Sequence, residues 1–344
     1  MANITLADIR AAHARIAPAA VRTPLVLLDP ERLRAFGIAR PLPVIYLKDE
    51  SAQPIGSFKL RGAYNRIAQL SPEELRRGVI TYSSGNHAQG VAYAARALGA
   101  KAVIVMPSNA PQIKRDATAA LGAEIVLVGN ASSDRKLKAE DLAAAHGYTI
   151  VPPYDDPAII AGQATCGIEI LQQVPNVDLV LSPVSGGGLL SGVSAAIKLT
   201  AETLIPNPYS LTPAVYGCEP ALAADAQQSF RTRTLVEWPA ADTTRTLCDG
   251  LRTQSLGALN FEHILAFTDG IVTVTEAEIR RTTRLLFEAT DIVAEPSGAI
   301  TLAAALFHAD ELPPAKTLVA IVSGGNLEPA LRAELASEPR SATV

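Results

Sequence analysis

The fold of this chain is decided by the stretch Val79-Ile80-Thr81-Tyr82-Ser83-Ser84-Gly85-Asn86-His87, in which an apolar run ends in a polar, glycine-containing turn. The apolar run predicts a short strand, and residues 87–98 after the turn predict a helix. The same alternation continues with strands predicted at 102–106 and 124–128 and a helix predicted at 112–121. Strands that alternate with helices over short loops are typical of parallel βαβ units, so this stretch predicts a small parallel sheet flanked by helices.

A second βα series follows the turn-rich residues 151–157. Its predicted elements are helices at 159–173, 189–199 and 276–289 and strands at 178–184, 214–218, 271–274 and 317–322. Three prolines within residues 205–213 interrupt the series. The fold class is therefore α/β with two lobes, each an open, mostly parallel twisted sheet flanked by helices. We expect a large domain from residues 1–74 and 156–344 and a small domain from residues 75–155.

The composition narrows the class of protein. Of the 344 residues, 48% are hydrophobic and 19% are charged, which is typical of a well-packed α/β protein. The net charge of -4 provides no basic surface for nucleic acid or for a membrane. The three cysteines form no Cys-x-x-Cys pair, and no apolar run reaches the roughly 20 residues of a membrane span. We expect a cytoplasmic protein whose partners are small molecules or a second copy of itself.

Serine and glycine residues follow three of the predicted strands, in turns at residues 83–87, 185–189 and 323–326. The carboxyl ends of parallel strands meet at one edge of a sheet, and ligands bind beyond that edge. The three turns are therefore predicted to converge on one crevice.

The turn Ser185-Gly186-Gly187-Gly188 lies between a predicted strand and a predicted helix. Several backbone N–H groups at a helix N-terminus form an anion site that suits phosphate. The turn lacks the Gly-Lys-Ser/Thr ending of a nucleotide P-loop, and Ser191 stands where a dinucleotide fingerprint has glycine. A phosphate without a nucleotide is the sharper hypothesis, and a tight turn of small residues needed only for packing is the alternative.

Lys59 lies between two glycines in Pro54-Ile55-Gly56-Ser57-Phe58-Lys59-Leu60-Arg61-Gly62, shortly after a strand predicted at 44–48. Glycines allow the backbone to approach a ligand closely. A lysine that loses solvation in such a pocket can act as a Schiff-base nucleophile and as a general base. The alternative is a solvated lysine at the start of an amphipathic helix.

The turn at residues 83–87 offers hydroxyls, an amide and a helix N-terminus without an acidic residue, so it could hold a carboxylate through donors alone. His87 could be a catalytic base or a histidine that only caps the helix. No Gly-x-Ser-x-Gly elbow supports a hydrolase. A reactive lysine, a phosphate turn and a carboxylate turn are together the parts needed for pyridoxal phosphate acting on an amino acid.

Four motifs in this order resemble those of the fold-type II pyridoxal phosphate family, and within it the serine racemase and serine/threonine dehydratase group. They are Gly56-Ser57-Phe58-Lys59-Leu60-Arg61-Gly62-Ala63, Ser83-Ser84-Gly85-Asn86-His87-Ala88-Gln89-Gly90, Ser185-Gly186-Gly187-Gly188-Leu189 and Ser323-Gly324-Gly325-Asn326. The resemblance extends from about residue 9 to residue 327. It implies the two-lobed architecture of that family and pyridoxal 5'-phosphate as the cofactor.

The resemblance also implies a role for each motif residue. Lys59 would form the Schiff base with the cofactor, and Phe58 would pack against the cofactor ring. Asn86 would bind the ring hydroxyl, and Ser323 would meet the ring nitrogen. The residues that would hold the phosphate are Ser185, Gly186, Gly187, Gly188 and Leu189. The residues that would surround the substrate carboxylate are Ser83, Ser84, Asn86 and His87.

The implied reaction is a β-elimination, in which Lys59 removes the Cα proton of a β-hydroxy amino acid and the products are a 2-oxo acid and ammonia. Racemase-like members of the group resemble this chain in having the motif Ser-Ser-Gly-Asn-His, whose second serine is Ser84 here. A hydroxyl on the face opposite Lys59 could deliver a proton there, so an amino acid racemase is the alternative. A regulator that binds phosphate or an amino acid without catalysis is a third possibility, which the presence of Lys59 disfavours.

Two further sites follow from the resemblance. Glu219, the carbonyl of Ala223 and Asp225 resemble a cation site, whose oxygen ligands suit Mg²⁺, Ca²⁺ or Mn²⁺; acidic residues that favour a helix N-terminus are the alternative. Arg135 lies where relatives approach the substrate, so it could pair with a second carboxylate, as in 3-hydroxyaspartate, or it could be a solvated residue at a helix start. The group also implies a homodimer.

Overall fold

The computed structural model describes residues 3–83, 85–110, 112–129, 132–204 and 212–338. Within these ranges the strands form two sheets. The strands, in chain order, are β1 (Leu25–Leu27), β2 (Val44–Asp49), β3 (Val79–Tyr82), β4 (Ala102–Pro107), β5 (Glu124–Val128), β6 (Thr149–Ile150), β7 (Leu179–Pro183), β8 (Ala214–Pro220), β9 (Gly270–Val274) and β10 (Thr317–Val322).

The larger sheet has the order β1-β2-β10-β7-β8-β9, and the smaller has the order β5-β4-β3-β6. Every pairing is parallel except the antiparallel pairing of the short edge strand β1 with β2. The last strand, β10, lies between β2 and β7, with Thr317 opposite Val44 and Leu318 opposite Leu179. The chain thus returns to the middle of the larger sheet, and the turn after β10 lies beside the two turns that follow β2 and β7.

Helices flank both sheets. Their bounds are α1 (Leu6–Ile16), α2 (Pro30–Ala35), α3 (Lys59–Ile67), α4 (Pro72–Arg77), α5 (Asn86–Ala97), α6 (Gln112–Ala120), α7 (Ser132–His146), α8 (Pro157–Gln173), α9 (Gly188–Leu204), α10 (Asp225–Thr232), α11 (Ala240–Thr243), α12 (Ala258–Phe267), α13 (Glu276–Ala289), α14 (Pro296–Phe307) and α15 (Pro329–Ser337). None of the helices in the described part of the chain combines the length and the apolar character needed to cross a membrane.

Local sequence explains why several helices begin where they do. Thr275 accepts a hydrogen bond from the backbone of Glu278, whose carboxylate accepts one from the backbone of Thr275, so a capping box is present at the start of α13. Ser71 and Glu74 form the same motif at α4, where Pro72 occupies the first turn. These caps satisfy N–H groups that a helix N-terminus would otherwise leave unpaired.

Glycines bring α3, α8 and α9 into backbone contact, and α3 is the helix that begins at Lys59. A Cβ added to Gly162 of α8 would lie 2.6 Å from the Cα of Gly62 in α3. A Cβ added to Gly192 of α9 would lie 2.6 Å from the backbone nitrogen of Ala164 in α8. Interiors are close-packed, so only glycine fits at these contacts. The glycines therefore fix the position of α3, and with it that of Lys59, relative to α9.

The α/β fold with two mostly parallel, helix-flanked sheets confirms the predicted fold class. The boundaries predicted for the domains, 1–74 with 156–344 and 75–155, stay a prediction. The proline-rich stretch at residues 205–213 lies largely outside the described residues.

Candidate active site

The motifs at residues 56–63 and 323–326 meet beyond the carboxyl ends of β2 and β10, which are parallel neighbours. The backbone N–H of Phe58 donates to the carbonyl of Ser323 at 3.0 Å, and that of Gly325 donates to the carbonyl of Gly56 at 2.9 Å. Ser57 and Gly324 form an isolated β-bridge between these two contacts. These contacts hold the lysine motif against the turn that follows β10.

Lys59 is the first residue of α3 and is half-buried. Its Nζ donates to the carbonyl of Pro153 at 2.9 Å and lies 5.2 Å from the centroid of the Phe58 ring. Removal from water lowers the pKa of Lys59 to about 8. Among the described residues no carboxylate forms an ion pair with it. The lysine therefore has a substantial fraction of neutral amine near neutral pH, which is what a nucleophile or a base requires.

The glycine turn follows β7 and opens the 17-residue helix α9. Gly187 has a φ of +99°, a left-handed conformation that glycine adopts without strain. A Cβ on Gly186 would lie 2.4 Å from the ring of Tyr154, the residue that follows the Pro153 contact of Lys59. The segment 153–154 therefore joins the lysine to the glycine turn.

The hydroxyl of Thr253 lies beside the hydroxyl of Ser185 in this turn. The Oγ of Ser185 is 2.8 Å from the Oγ1 of Thr253, and the backbone N–H of Gly257 donates to the carbonyl of Gly186 at 3.0 Å. The loop before α12 thus packs against the glycine turn and holds it by hydrogen bonds. Leu189, also predicted to hold the phosphate, is a buried residue of the first turn of α9.

The turn at residues 83–87 lies beyond β3 of the smaller sheet. Ser83 and Asn86 are half-buried, whereas Ser84 lies outside the described residues. Gly90, one turn into α5, packs against Lys59, since a Cβ there would lie 3.1 Å from the Lys59 carbonyl oxygen. The second motif therefore lies beside the first.

His87 is 3% exposed, and its Nε2 lies 3.1 Å from the carbonyl of Val151. A carbonyl only accepts, so Nε2 carries the hydrogen and Nδ1 is an acceptor. Burial, with a smaller contribution from Lys59, lowers the pKa of His87 to about 3. The neutral side chain thus offers an anion no second donor, which leaves the backbone N–H of His87 in the first turn of α5 as its donor to a carboxylate.

Ser323 is 4% exposed and its Oγ makes one long contact, 3.4 Å to the carbonyl of Ser297. The side chain of Asn86 donates to Glu295 at 2.6 Å and accepts from Asn326 at 2.7 Å. The sequence pattern did not single out Pro153, Tyr154, Thr253 or Glu295. The signals were weak, since residues 151–157 read as a connection between lobes and no motif or periodic pattern marked Glu295.

The predicted cation ligands lie at the end of β8. Both carboxylate oxygens of Glu219 accept backbone N–H groups, from Ala226 at 3.0 Å and from Gln227 at 2.9 Å. Asp225 is 1% exposed, and its Oδ2 is buried without a hydrogen-bond partner among the described residues. Across the described ranges, no group of three or more His, Cys, Asp or Glu residues is arranged to hold a metal ion. The two carboxyls and the carbonyl of Ala223 thus stay a predicted site.

Arg135 lies in the first turn of α7, which follows β5 at the carboxyl edge of the smaller sheet. Its side chain is half-buried, and its Nε is buried without a hydrogen-bond partner in the described residues. Burial lowers the pKa of Arg135 from its usual value. This environment differs from the fully solvated helix start that was the alternative.

The chain resembles several known proteins along most of its length. It is 41% identical over 286 residues to an L-threo-3-hydroxyaspartate ammonia-lyase of Saccharomyces cerevisiae, covering 83% of each chain. It is 37% identical over 324 residues to a serine racemase of Schizosaccharomyces pombe, covering 94% of each chain. The crystal structure of a T.th. threonine deaminase superposes with a TM-score of 0.84 at 41% identity, covering 94% of this chain and 99% of that one.

The family model described as "pyridoxal-phosphate dependent enzyme" matches residues 16–324. The chain belongs to this pyridoxal-phosphate dependent enzyme family. The first three motifs and the start of the fourth lie within the matched range, so membership confirms the predicted family and the predicted cofactor.

The residues present fit a pyridoxal phosphate. The glycine turn provides backbone donors at the N-terminus of a long helix, where a phosphate is favoured. Lys59 supplies an amine whose pKa is lowered to about 8. Ser57, beside Phe58, has a buried Oγ without a hydrogen-bond partner among the described residues, so this side of the site can offer a hydroxyl to a polar ligand. This enzyme of the pyridoxal-phosphate family thus carries the donors that its cofactor requires.

Proposed function

We propose that the chain is an ammonia-lyase that dehydrates and deaminates a β-hydroxy amino acid, such as serine, threonine or 3-hydroxyaspartate, to a 2-oxo acid and ammonia. The observation that carries the proposal is the Lys59 amine, which donates to the carbonyl of Pro153 and has its pKa lowered to about 8 beside the glycine turn. The three relatives described above, named hydroxyaspartate ammonia-lyase, serine racemase and threonine deaminase, support this class of substrate.

Pyridoxal phosphate, when bound, supplies an electron sink for the negative charge that develops at Cα. Lys59 would remove the Cα proton, because its amine is neutral for part of the time at neutral pH. The carbonyl of Pro153 would hold Nζ and restrict where it can move. The β-hydroxyl would then leave as water, taking a proton equivalent to the one removed from Cα, and hydrolysis of the released enamine by water would give the 2-oxo acid and ammonia.

The remaining motif residues would bind and orient. Ser185, Gly186, Gly187, Gly188 and Leu189 would hold the phosphate, Phe58 would pack on the ring, and Asn86 would contact the ring hydroxyl. Ser323 would meet the ring nitrogen, where a hydroxyl, unlike a carboxylate, does not keep the nitrogen protonated. We infer that this limits delocalisation of the carbanion and favours elimination over transamination.

Ser83, Ser84 and His87 would receive the substrate carboxylate, His87 through its backbone N–H. Arg135 would pair with a second carboxylate, since its buried Nε has no partner among the described residues. The hydroxyaspartate ammonia-lyase relative is consistent with such a dicarboxylic substrate.

Racemisation is the second candidate, favoured by the serine racemase relative. Ser84 would deliver a proton to the face of Cα opposite Lys59. We expect Ser84→Ala to remove racemisation and to spare dehydration.

We also propose Mg²⁺, or Ca²⁺ or Mn²⁺, at Glu219, Ala223 and Asp225, because the buried Oδ2 of Asp225 has no hydrogen-bond partner in the described part of the chain. We further propose that the protein is a cytoplasmic homodimer. Chelation is expected to lower its thermal midpoint, with magnesium restoring it, since a ligand of the folded state stabilises that state.

The experiment that tests the function is a panel of L-serine, L-threonine and both stereoisomers of 3-hydroxyaspartate, assayed for oxo acid, ammonia and the opposite enantiomer. We expect oxo acid and ammonia in equal amounts, and loss of roughly 10²-fold to 10⁴-fold in rate on Lys59→Ala, the range for a lost general base. Release of the enantiomer alone would replace the lyase by the racemase. A visible absorption band that survives borohydride and Lys59→Ala would contradict the role of Lys59.

A further inference from the structure

A buried carboxyl lies directly behind the turn that carries Ser323. Glu295 is 5% exposed, and its Oε1 accepts a hydrogen bond from Nδ2 of Asn86 at 2.6 Å. A Cβ on Gly324 would lie 2.5 Å from the same oxygen, so glycine at this position leaves the space that the carboxyl occupies. The backbone N–H of Glu295 also donates to the Gly324 carbonyl at 3.0 Å. The carboxyl is therefore fixed in place by the turn itself.

The direction of these hydrogen bonds is determined by one backbone carbonyl. Nδ2 of Asn326 donates to the carbonyl of Ile55 at 3.1 Å and to Oδ1 of Asn86 at 2.7 Å. Because a carbonyl can only accept, Asn326 must present its NH₂ group. Asn86 must then present its oxygen to Asn326, which turns its own NH₂ group toward Glu295. The hydrogen-bond partners thus determine which atom of the Asn86 amide is the nitrogen and which is the oxygen.

This orientation decides what Asn86 offers to a ligand. Its oxygen is used by Asn326, and one of its two amide hydrogens is used by Glu295. The second hydrogen remains as a donor. If the amide were reversed, the same position would present an acceptor, which could not stabilise a negatively charged ring oxygen.

We infer that Glu295 is a positioning residue that holds the Asn86 amide so that it donates to the ring oxygen of the cofactor. The inference rests on the proposed role of Asn86 toward pyridoxal phosphate. Glu295 needs only an acceptor oxygen for this task, so glutamine can replace it. An aliphatic side chain cannot accept a hydrogen bond, so it would leave the Asn86 amide held by Asn326 alone of these two partners.

The test uses the holoenzyme without substrate. Cofactor affinity is measured by equilibrium dialysis, and the visible spectrum gives the ratio of the band with an ionised ring oxygen to the band with a neutral one. We expect Glu295→Gln to keep both values within about threefold of the native protein. We expect Glu295→Leu to lower the band ratio and to weaken affinity about tenfold, the equivalent of roughly 1.4 kcal/mol for one hydrogen-bonding contact.

The matched control is Glu276→Leu. The carboxylate of Glu276 likewise accepts hydrogen bonds, from Thr246 at 2.6 Å and from the backbone of Leu247 at 2.7 Å, but neither partner belongs to the site. Its spectrum should equal that of the native protein. Asn326→Ala breaks the same chain of hydrogen bonds from its other end and should lower the band ratio as Glu295→Leu does, which provides a second variant if Glu295→Leu does not fold.

Asn86→Ala separates failure of the inference from failure of the proposed function. An unchanged spectrum in Asn86→Ala would refute the contact between Asn86 and the ring oxygen, and the inference with it. A changed spectrum in Asn86→Ala with unchanged spectra in Glu295→Leu and Asn326→Ala would overturn the inference alone. In an Asn86→Ala background, Glu295→Leu should cause no further change in the band ratio.

Discussion

At the scale of single residues, His87 shows how burial determines charge. Its pKa is lowered to about 3, so the folded chain excludes a proton that the unfolded chain takes up below about pH 6.5. The free energy of unfolding should therefore fall as pH falls from 6.5 toward 3, by up to about 1.4 kcal/mol per unit from this group alone. We expect His87→Gln to reduce that slope in urea titrations of the holoenzyme between pH 6.5 and 4.5.

His146→Gln, at an exposed side chain, is the matched control for this substitution. Slopes that are equal in His87→Gln and the native protein would contradict a neutral, buried His87. The His87→Gln variant also tests whether His87 ionises during catalysis. Because the His87 side chain stays uncharged, the pH dependence of the rate between pH 5 and 8 should have the same shape in this variant as in the native protein.

The residue scale also separates what the sequence can and cannot predict about the site. Lys59 and the glycine turn were predictable because their chemistry depends on neighbours within a few positions. Pro153, by contrast, is 94 positions from Lys59, and Glu295 is 209 positions from Asn86. Such contacts arise only when the chain returns to the same edge of a sheet, and no local pattern records them.

At the scale of elements, the turn between β7 and α9 is shaped by contact with a neighbouring segment. A Cβ on Gly186 would lie between 2.4 and 2.5 Å from three ring atoms of Tyr154. We expect Gly186→Ala to displace Tyr154 and to weaken cofactor binding about tenfold or more in equilibrium dialysis, since overpacking typically costs roughly 1–3 kcal/mol.

Adding Tyr154→Ala to Gly186→Ala should recover part of the lost affinity, because the three nearest atoms to the added Cβ all belong to that ring. Gly85→Ala is the control, since an added Cβ there has no atom of the described residues within 4 Å apart from those of its chain neighbours. If the double variant loses as much affinity as the two single variants together, the ring contact is not the cause.

A second element-scale feature is a buried charge network that holds α3 against α8. Glu169, whose side chain is 4% exposed, pairs with Lys48 at 2.6 Å and with Arg61 at 2.7 Å, and both cations are fully buried. Arg61 also pairs with Glu50 at 2.7 Å. Removing one partner leaves an uncompensated buried charge, so Glu169→Gln should lower the free energy of unfolding by roughly 3–5 kcal/mol.

Chemical denaturation checks this value, with Glu124→Gln as the control. Glu124 pairs with Lys101 at 2.7 Å, but the side chains are 55% and 51% exposed. Exposed pairs of this kind contribute about 0–1 kcal/mol. Equal destabilisation by the two substitutions would mean that burial does not set the strength of the network.

The helices and strands differ in how closely their bounds could be predicted from the sequence. Strands with strong apolar runs, such as β3 and β10, were predicted to the residue, because buried parallel strands read as continuous apolar stretches. Helix α14 gave no periodic signal, because all of Pro296–Leu306 is buried and every face is apolar or small. The two-residue strand β6 is too short for any pattern and exists through its pairing with β3.

At the scale of the whole molecule, ion pairs join elements beside the smaller sheet to elements beside the larger one. Lys114 of α6, beside the smaller sheet, forms an ion pair with Asp249, which precedes β9 of the larger sheet, and lies 3.6 Å from Glu328, which follows β10. Lys114 is 14% exposed, and although burial acts to lower its pKa, the nearby carboxylates, Asp249 foremost, outweigh burial and raise it. The pair therefore favours an arrangement in which the edges of the two sheets stay close.

Weakening this pair should make the crevice harder to close over a substrate. We expect Lys114→Met to raise KM several-fold, up to about tenfold for roughly 1.4 kcal/mol, with a smaller change in kcat. Because a partly exposed pair is screened by salt, the native KM should rise with ionic strength toward that of the variant, whereas the variant should respond less. Lys101→Met removes an exposed lysine of the smaller sheet and controls for net charge. Steady-state kinetics with oxo acid release between low and high salt would measure both effects, and parallel salt curves for Lys114→Met and the native protein would exclude a role for this pair in closure.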